Sequence, residues 1–282
     1  MIFEHEGHAI DYELRGDGPT VLLLHGLTVD RGVMIEAFEP LLAEAGVRRL
    51  YLDLPGHGAS RGDPAHASAD GLVAALAALA RSVLRPSDRA GEVEAPLVIG
   101  YSYGGYLAQG LLRALGGARG LLLVCPVVEP DFARRRQPPR RVAARATELA
   151  FSDDARERAA FEEVAVQQTL AVLERFRRVV HPANIAVDPS VVSAVRAHYV
   201  LSRPLGDALT SLDAPATIVC GRDDHWAGWQ DACDLVAVLR HPHFVVLPDC
   251  GHLLPFEAPA AFAQAVRDWL ARCLPTTAAT CP

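Results

Sequence analysis

Gly100-Tyr101-Ser102-Tyr103-Gly104 sets a serine between two glycines, where a continuous apolar run gives way to a segment of helical periodicity. That context suits a nucleophile. A sharp strand-to-helix turn forces the serine into a strained backbone conformation, and neighbours without side chains leave room for Oγ to project over the strand end. A serine hydroxyl is a weak nucleophile at neutral pH, so attack on a carbonyl carbon also needs a base to take its proton. Histidines stand in glycine-rich loops at His25, His57 and His252, and His225 lies beside Asp224. His25 and His57 are read as fixing their loops by hydrogen bonds, and His225 as a weaker candidate still. Cys250, close to His252, is read as an inert thiol, because the serine motif already supplies a nucleophile.

The elements that must position these residues follow from periodicity. Phe3 to Ile10 and Ala9 to Leu14 read as an opening hairpin or meander. Strands are predicted at Thr20 to His25, Arg48 to Asp53, Pro96 to Gly100, Leu121 to Cys125, Ala216 to Gly221 and Phe244 to Leu247. Helices are predicted at Ile35 to Ala45, Asp70 to Leu84, Tyr103 to Leu115, Asp231 to Leu239 and Ala258 to Cys273. Such alternation implies a mostly parallel twisted sheet flanked by helices. Between about Pro126 and Asp213 the strands disappear and Arg, Ala and Glu dominate, with Arg156 to Val179 reading as amphipathic helix. This is read as an inserted helical lid, residues 126–213, dividing a core of residues 1–125 and 214–274. Residues 275–282 read as a frayed tail.

Composition narrows the classes of function. A chain of 282 residues, half of them hydrophobic, can bury a large core. The net charge of -7 argues against a nucleic-acid partner. No apolar run is long enough for a membrane span, and the Met1 end, with Glu4, His5 and Glu6, lacks a basic-then-apolar pattern. The expectation is a cytoplasmic protein with no membrane partner; the oligomeric state is not legible. Six cysteines show no metal-like or paired spacing and are read as free thiols. No metal or organic cofactor is expected. All 27 basic side chains are arginine, which rules out chemistry that needs a lysine amine. Arg134, Arg135, Arg136, Arg140 and Arg141 flank Gln137-Pro138-Pro139 at the start of the insertion. They could receive an anionic group, but are read as a solvated face.

Four motifs together resemble the α/β-hydrolase superfamily over nearly the whole chain. They are His25-Gly26 after a strand, Asp53-Leu54-Pro55-Gly56-His57-Gly58-Ala59-Ser60, the serine motif, and Gly221-Arg222-Asp223-Asp224 followed by Gly251-His252, Glu257 and Pro259. The resemblance implies an α/β-hydrolase fold with Ser102 as nucleophile, His252 as base and Asp224 as the carboxylate that orients it. Asp223 is the runner-up for that carboxylate, and Glu129 and Asp131 stand where some members carry it. The backbone N–H groups of Leu27 and Tyr103 would form the oxyanion hole. Tyr101, Tyr106, Trp226 and Trp229 are candidate pocket residues. The implied activity is hydrolysis of a small-molecule carboxylic ester, lactone or thioester. The alternatives are hydrolysis of a carbon–carbon bond in a ring-cleavage product, acid/base chemistry without hydrolysis, and ligand binding without turnover.

Overall fold

The computed structural model describes residues 1–86, 93–152, 154–203 and 209–274. The expected tail, 275–282, lies outside them. The opening hairpin pairs β1 (Ile2–His5) with β2 (His8–Arg15), antiparallel, across Glu6 and Gly7, both at positive φ. Next come β3 (Thr20–Leu24), α1 (Arg31–Leu42), β4 (Arg48–Leu52), α2 (Ala69–Val83), β5 (Leu97–Tyr101), α3 (Tyr103–Leu115) and β6 (Gly120–Val124). Helix α1 begins four residues before its apolar periodicity suggests, because the Asp30 side chain caps it by accepting from the Gly32 N–H.

Between β6 and the next core strand the chain forms β7 (Ala144–Arg145), α4 (Ala155–Val164), β8 (Gln167–Gln168), α5 (Leu170–Arg175), a π-helical turn (Phe176–Val180), α6 (His181–Ala186) and α7 (Pro189–Ala197). The core resumes with β9 (Ala216–Gly221), α8 (Gln230–Val236), β10 (Pro242–Leu247), α9 (Leu254–Glu257) and α10 (Pro259–Cys273). Two expectations for the insertion fail. It carries a short parallel ladder, β7 with β8, and the helix expected over Arg156 to Val179 breaks between Val164 and Leu170. The break has a physical cause. The buried Glu257 carboxylate takes the N–H groups of Val166 and Gln167, at 2.7 and 3.1 Å, so those groups face away from any helical acceptor.

Among the described residues the main sheet has eight strands in the order β1-β2-β4-β3-β5-β6-β9-β10, parallel from β4 to β10. Its central strands β3, β5, β6 and β9 are buried on both faces, and alternate residues feed two separate cores. Leu22, Leu24, Val98, Leu121 and Leu123 pack with α2 and α3. Val21, Leu23, Ile99, Leu122 and Val124 pack with α1 and α10, where Phe38 and Trp269 are fully buried.

Register then decides where the motifs meet. Leu24 pairs with Gly100, Tyr101 with Val124, Val124 with Val219, and Gly221 with Leu247. The carboxyl ends of β3, β5, β6, β9 and β10 are therefore level, and the segments after them share one edge of the sheet.

Two buried histidines stitch that edge. His25 Nδ1–H donates to the Gly26 carbonyl at 2.7 Å, and its Nε2 accepts from the Leu54 N–H at 2.8 Å. His57 Nδ1–H donates to the Pro55 carbonyl at 3.0 Å, and its Nε2 accepts from the Thr28 N–H at 3.2 Å. Each ring uses one nitrogen as donor and one as acceptor, the pattern of a neutral imidazole. Burial lowers the pKa of both, that of His25 to about 3. Asp53 completes the stitching: its carboxylate accepts from the Arg31 and Ala59 N–H groups, each at 2.9 Å, and its carbonyl accepts from the Ser60 hydroxyl.

Two predictions follow from this packing. A Cβ on Gly104 would collide with the backbone oxygens of Leu24 and His25, which cannot rotate away. Gly104→Ala should cost about 1–3 kcal/mol of stability or more, read as a lowered urea midpoint. Between about pH 6.5 and 3 the unfolded chain protonates His25 while the folded chain does not, so stability falls as pH drops through that window. His25→Asn should be less stable at neutral pH but show a shallower loss from about pH 6.5 to 4, measured by denaturant titration.

Candidate active site

The turn that carries Ser102 is strained as its sequence demands. Ser102 has φ 55° and ψ −119°, outside the left-handed helical well, and stands immediately before α3. Its amide donates to the Val124 carbonyl and its carbonyl accepts from Val127, both at 3.0 Å, which ties the turn to the segment after β6. Gly26 packs so close that a Cβ there would lie 3.0 Å from the Ser102 Cβ. Tyr103 is the first residue of α3, so its N–H has no acceptor within its own helix. Leu27 lines the cavity above Ser102.

His252 reaches Ser102 from the segment after β10. Its Nε2 lies 2.9 Å from Ser102 Oγ, and its Nδ1 lies 2.8 Å from Asp224 Oδ2. Asp224 is fully buried. Its Oδ1 accepts from the Trp226 and Ala227 N–H groups at 2.9 and 3.0 Å. Burial alone would raise its pKa, but His252 and these two amides hold the carboxyl below the usual carboxylate range. With Nδ1–H donated to a carboxylate, the free lone pair of the ring points at the serine hydroxyl.

Asp223 has other partners: Arg141 binds it in a bidentate manner, at 2.6 and 2.8 Å. Glu129 pairs with Arg134, and Asp131 caps the turn that follows it. The arginine cluster is only partly solvated, because Arg136 also pairs with Asp231 and Asp234. The Arg141 and Arg136 pairs pin the start of the insertion to the turn after β9 and to α8. Arg135 differs, since its guanidinium donates to the carbonyls of Glu129, Trp226 and Pro130.

A cavity of about 940 Å³ lies between the insertion and the carboxyl edge of the sheet, with Ser102 and His252 on its wall. Of the four aromatic candidates, Tyr101 and Trp226 line it. Tyr101 is also a support for the histidine: its ring stacks on His252 at 5.5 Å and its hydroxyl donates to the His252 carbonyl. Tyr106 and Trp229 do not line the cavity. Tyr106, on α3, is buried with its ring stacked on Tyr103 and Tyr199 at 6.0 and 6.1 Å and its hydroxyl accepting from the Leu201 N–H at 2.9 Å, and Trp229 packs on the same core beneath Arg222.

The sequence assigns several contributors no site role, although Glu257 belongs to the histidine-loop motif. Asn184 donates to the Thr28 carbonyl at 2.6 Å and so holds the Leu27 loop from the insertion side. Glu257, besides its bonds to Val166 and Gln167, accepts from the Gly251 N–H and so ties the insertion to the His252 loop. Arg196 and Tyr199 line the cavity as well.

The five described cysteines are unpaired; Cys281 lies outside the described residues. Burial pushes the Cys250 thiol up to about 12 and Cys125 well above its ordinary value. Among the described residues, Cys125, Asp224 and His252 alone are grouped closely enough to hold a metal ion. Two of them are already bonded to each other, and the third is a thiol that burial keeps protonated. No helix among the described residues is long and apolar enough to cross a membrane.

Comparison with known proteins agrees with this architecture. A solved alpha/beta superfamily hydrolase from Oenococcus oeni PSU-1 is similar at 24% identity and a TM-score of 0.84, covering 94% of this chain and 96% of that one. A thermophilic esterase from Thermogutta terrifontis is 25% identical at a TM-score of 0.70, with 94% of each chain covered. An N-acyl homoserine lactonase is 19% identical at a TM-score of 0.69, covering 98% and 97%. No curated protein matches the sequence. The family described as the alpha/beta hydrolase family matches residues 21–265, and the chain belongs to that family.

Proposed function

We propose that this protein is a serine hydrolase that cleaves a carboxylic ester, lactone or thioester through an acyl-enzyme on Ser102. The observation that carries the reading is the continuous hydrogen-bonded chain from Ser102 Oγ through His252 to buried Asp224, at 2.9 and 2.8 Å. His252 Nε2 takes the hydroxyl proton as Oγ attacks the carbonyl carbon, and Asp224 stabilises the imidazolium that forms. The N–H groups of Tyr103 and Leu27 receive the negative oxygen, aided by the positive end of α3. His252 then returns its proton to the leaving group. Water, deprotonated by the same ring, releases the acyl group and restores the serine.

Esters and lactones are favoured as substrates because relatives of this fold include an esterase and an N-acyl homoserine lactonase, and because the cavity wall is largely apolar. The insertion acts as a lid in this reading, supplying Ala160, Val164, Phe176 and Val180 to that wall.

A fluorophosphonate should add one mass adduct to the wild type and none to Ser102→Ala, read by intact mass. Absence of an adduct on folded wild-type protein, together with no hydrolysis of 4-nitrophenyl esters, would overturn the proposal. Asp224→Asn should lower kcat by about 10⁴. Asp223→Asn should leave kcat within about tenfold of wild type and act mainly through its lost Arg141 pair.

A further inference from the structure

The cavity is lined by two chemically distinct groups of side chains. Val29, Val33, Phe176, Val180 and Leu253 form one group and belong to the core cluster beneath α1 and α10. Arg135, Arg196 and Tyr199 line the same cavity, and Tyr199 packs against the other core cluster. Tyr199 stacks on Tyr103 at 4.2 Å, which fixes it directly beside the serine turn.

The two arginines differ from three of their cationic neighbours. Arg134, Arg136 and Arg141 are each committed to a carboxylate. Arg135 donates to three neutral backbone carbonyls and hydrogen-bonds Tyr199, its guanidinium 6.0 Å from that ring, so its charge is held in place with no carboxylate paired to it among the described residues. Arg196, near the end of α7, has no hydrogen-bonding or ion-pair partner among the described residues and keeps its whole fork free. Both guanidinium groups oppose the upward push of burial on the Tyr199 phenol, to about 12, which places both fields at the same spot. Asp131 and Glu163 line the cavity as well, so the preference must be tested against both signs of charge.

We propose that Arg196, backed by Arg135 and Tyr199, forms a carboxylate-binding subsite, so that this enzyme prefers esters whose remote end carries a carboxylate. One free guanidinium fork matches the two oxygens of a carboxylate, and the fixed charge of Arg135 strengthens the site without needing its own free fork. The apolar wall takes the remaining hydrocarbon part of the substrate. This inference rests on the assignment of Ser102 as the nucleophile.

The experiment is a comparison of 4-nitrophenyl half-esters of linear dicarboxylic acids, from adipate to sebacate. Each is paired with the neutral ester of equal chain length and with the ω-amino ester, and spontaneous hydrolysis is subtracted. At least one half-ester should exceed its neutral partner in kcat/KM by roughly tenfold at low ionic strength, with the gain in KM and shrinking as salt is added. In Arg196→Gln the ratio of charged to neutral kcat/KM should fall at least about fivefold, and Arg196→Lys should recover part of it. A preference for neutral or ω-amino esters at every length, or an unchanged ratio in Arg196→Gln, would overturn the subsite. Fluorophosphonate labelling of each variant separates the two proposals: labelled protein without the preference refutes only the subsite, whereas unlabelled wild type refutes the nucleophile itself.

Discussion

An L-residue held at φ 55° and ψ −119° between β5 and α3 is the constraint to which the rest of the site is fitted. Such a conformation costs about 1–3 kcal/mol and persists only where the surroundings leave no alternative. Here the surroundings are backbone. Gly100 packs against Gly104 and Gly105, Gly104 against the carbonyls of Leu24 and His25, and Gly26 against Ser102 itself. Three strands must therefore end at one level for the serine to sit where it does, and the register of β3, β5 and β6 meets that demand.

The hydrogen bonds around the turn divide into two sets. One is neutral and structural: His25, His57 and Ser60 join the segments after β3 and β4 with no net charge in the burial. The other is charged and poised: Asp224 is kept ionised by His252 and two amides, although burial opposes it. Keeping the first set neutral matters for the second. A protonated His25 close to the serine turn would add an uncompensated buried charge, and its low pKa prevents that.

The insertion is bound to this frame rather than merely lying over it. Glu257 links Val166 and Gln167 to Gly251 next to His252, Asn184 links α6 to Thr28, and Arg141 links the start of the insertion to Asp223 beside Asp224. Each link joins a cavity-forming segment to a loop that carries one of the proposed reacting groups. A change in the insertion that broke one of them would shift the geometry at Ser102 or His252 as well as the cavity wall.

Local sequence determined the order of strands and helices in the core, the serine turn, and the paired loops at His25 and Asp53. These depend on contiguous patterns: apolar runs, glycines where side chains cannot fit, and caps such as Asp30 and Ser68. Local pattern failed where a distant partner won. Helical periodicity over Arg156 to Val179 yields at Val166 because Glu257, 91 residues later, takes its N–H. Tyr106 and Trp229 have the composition of pocket residues but face the core, and only the packing of α2, α3 and α8 decides which way an aromatic points. Asp223 and Asp224 differ from those cases: resemblance already favours Asp224, and the two adjacent carboxylates point to opposite partners, one to Arg141 and one to His252. The tertiary structure supplies the physical ground for that choice, because only chain folding brings Arg141 and His252 to the two sides of one turn.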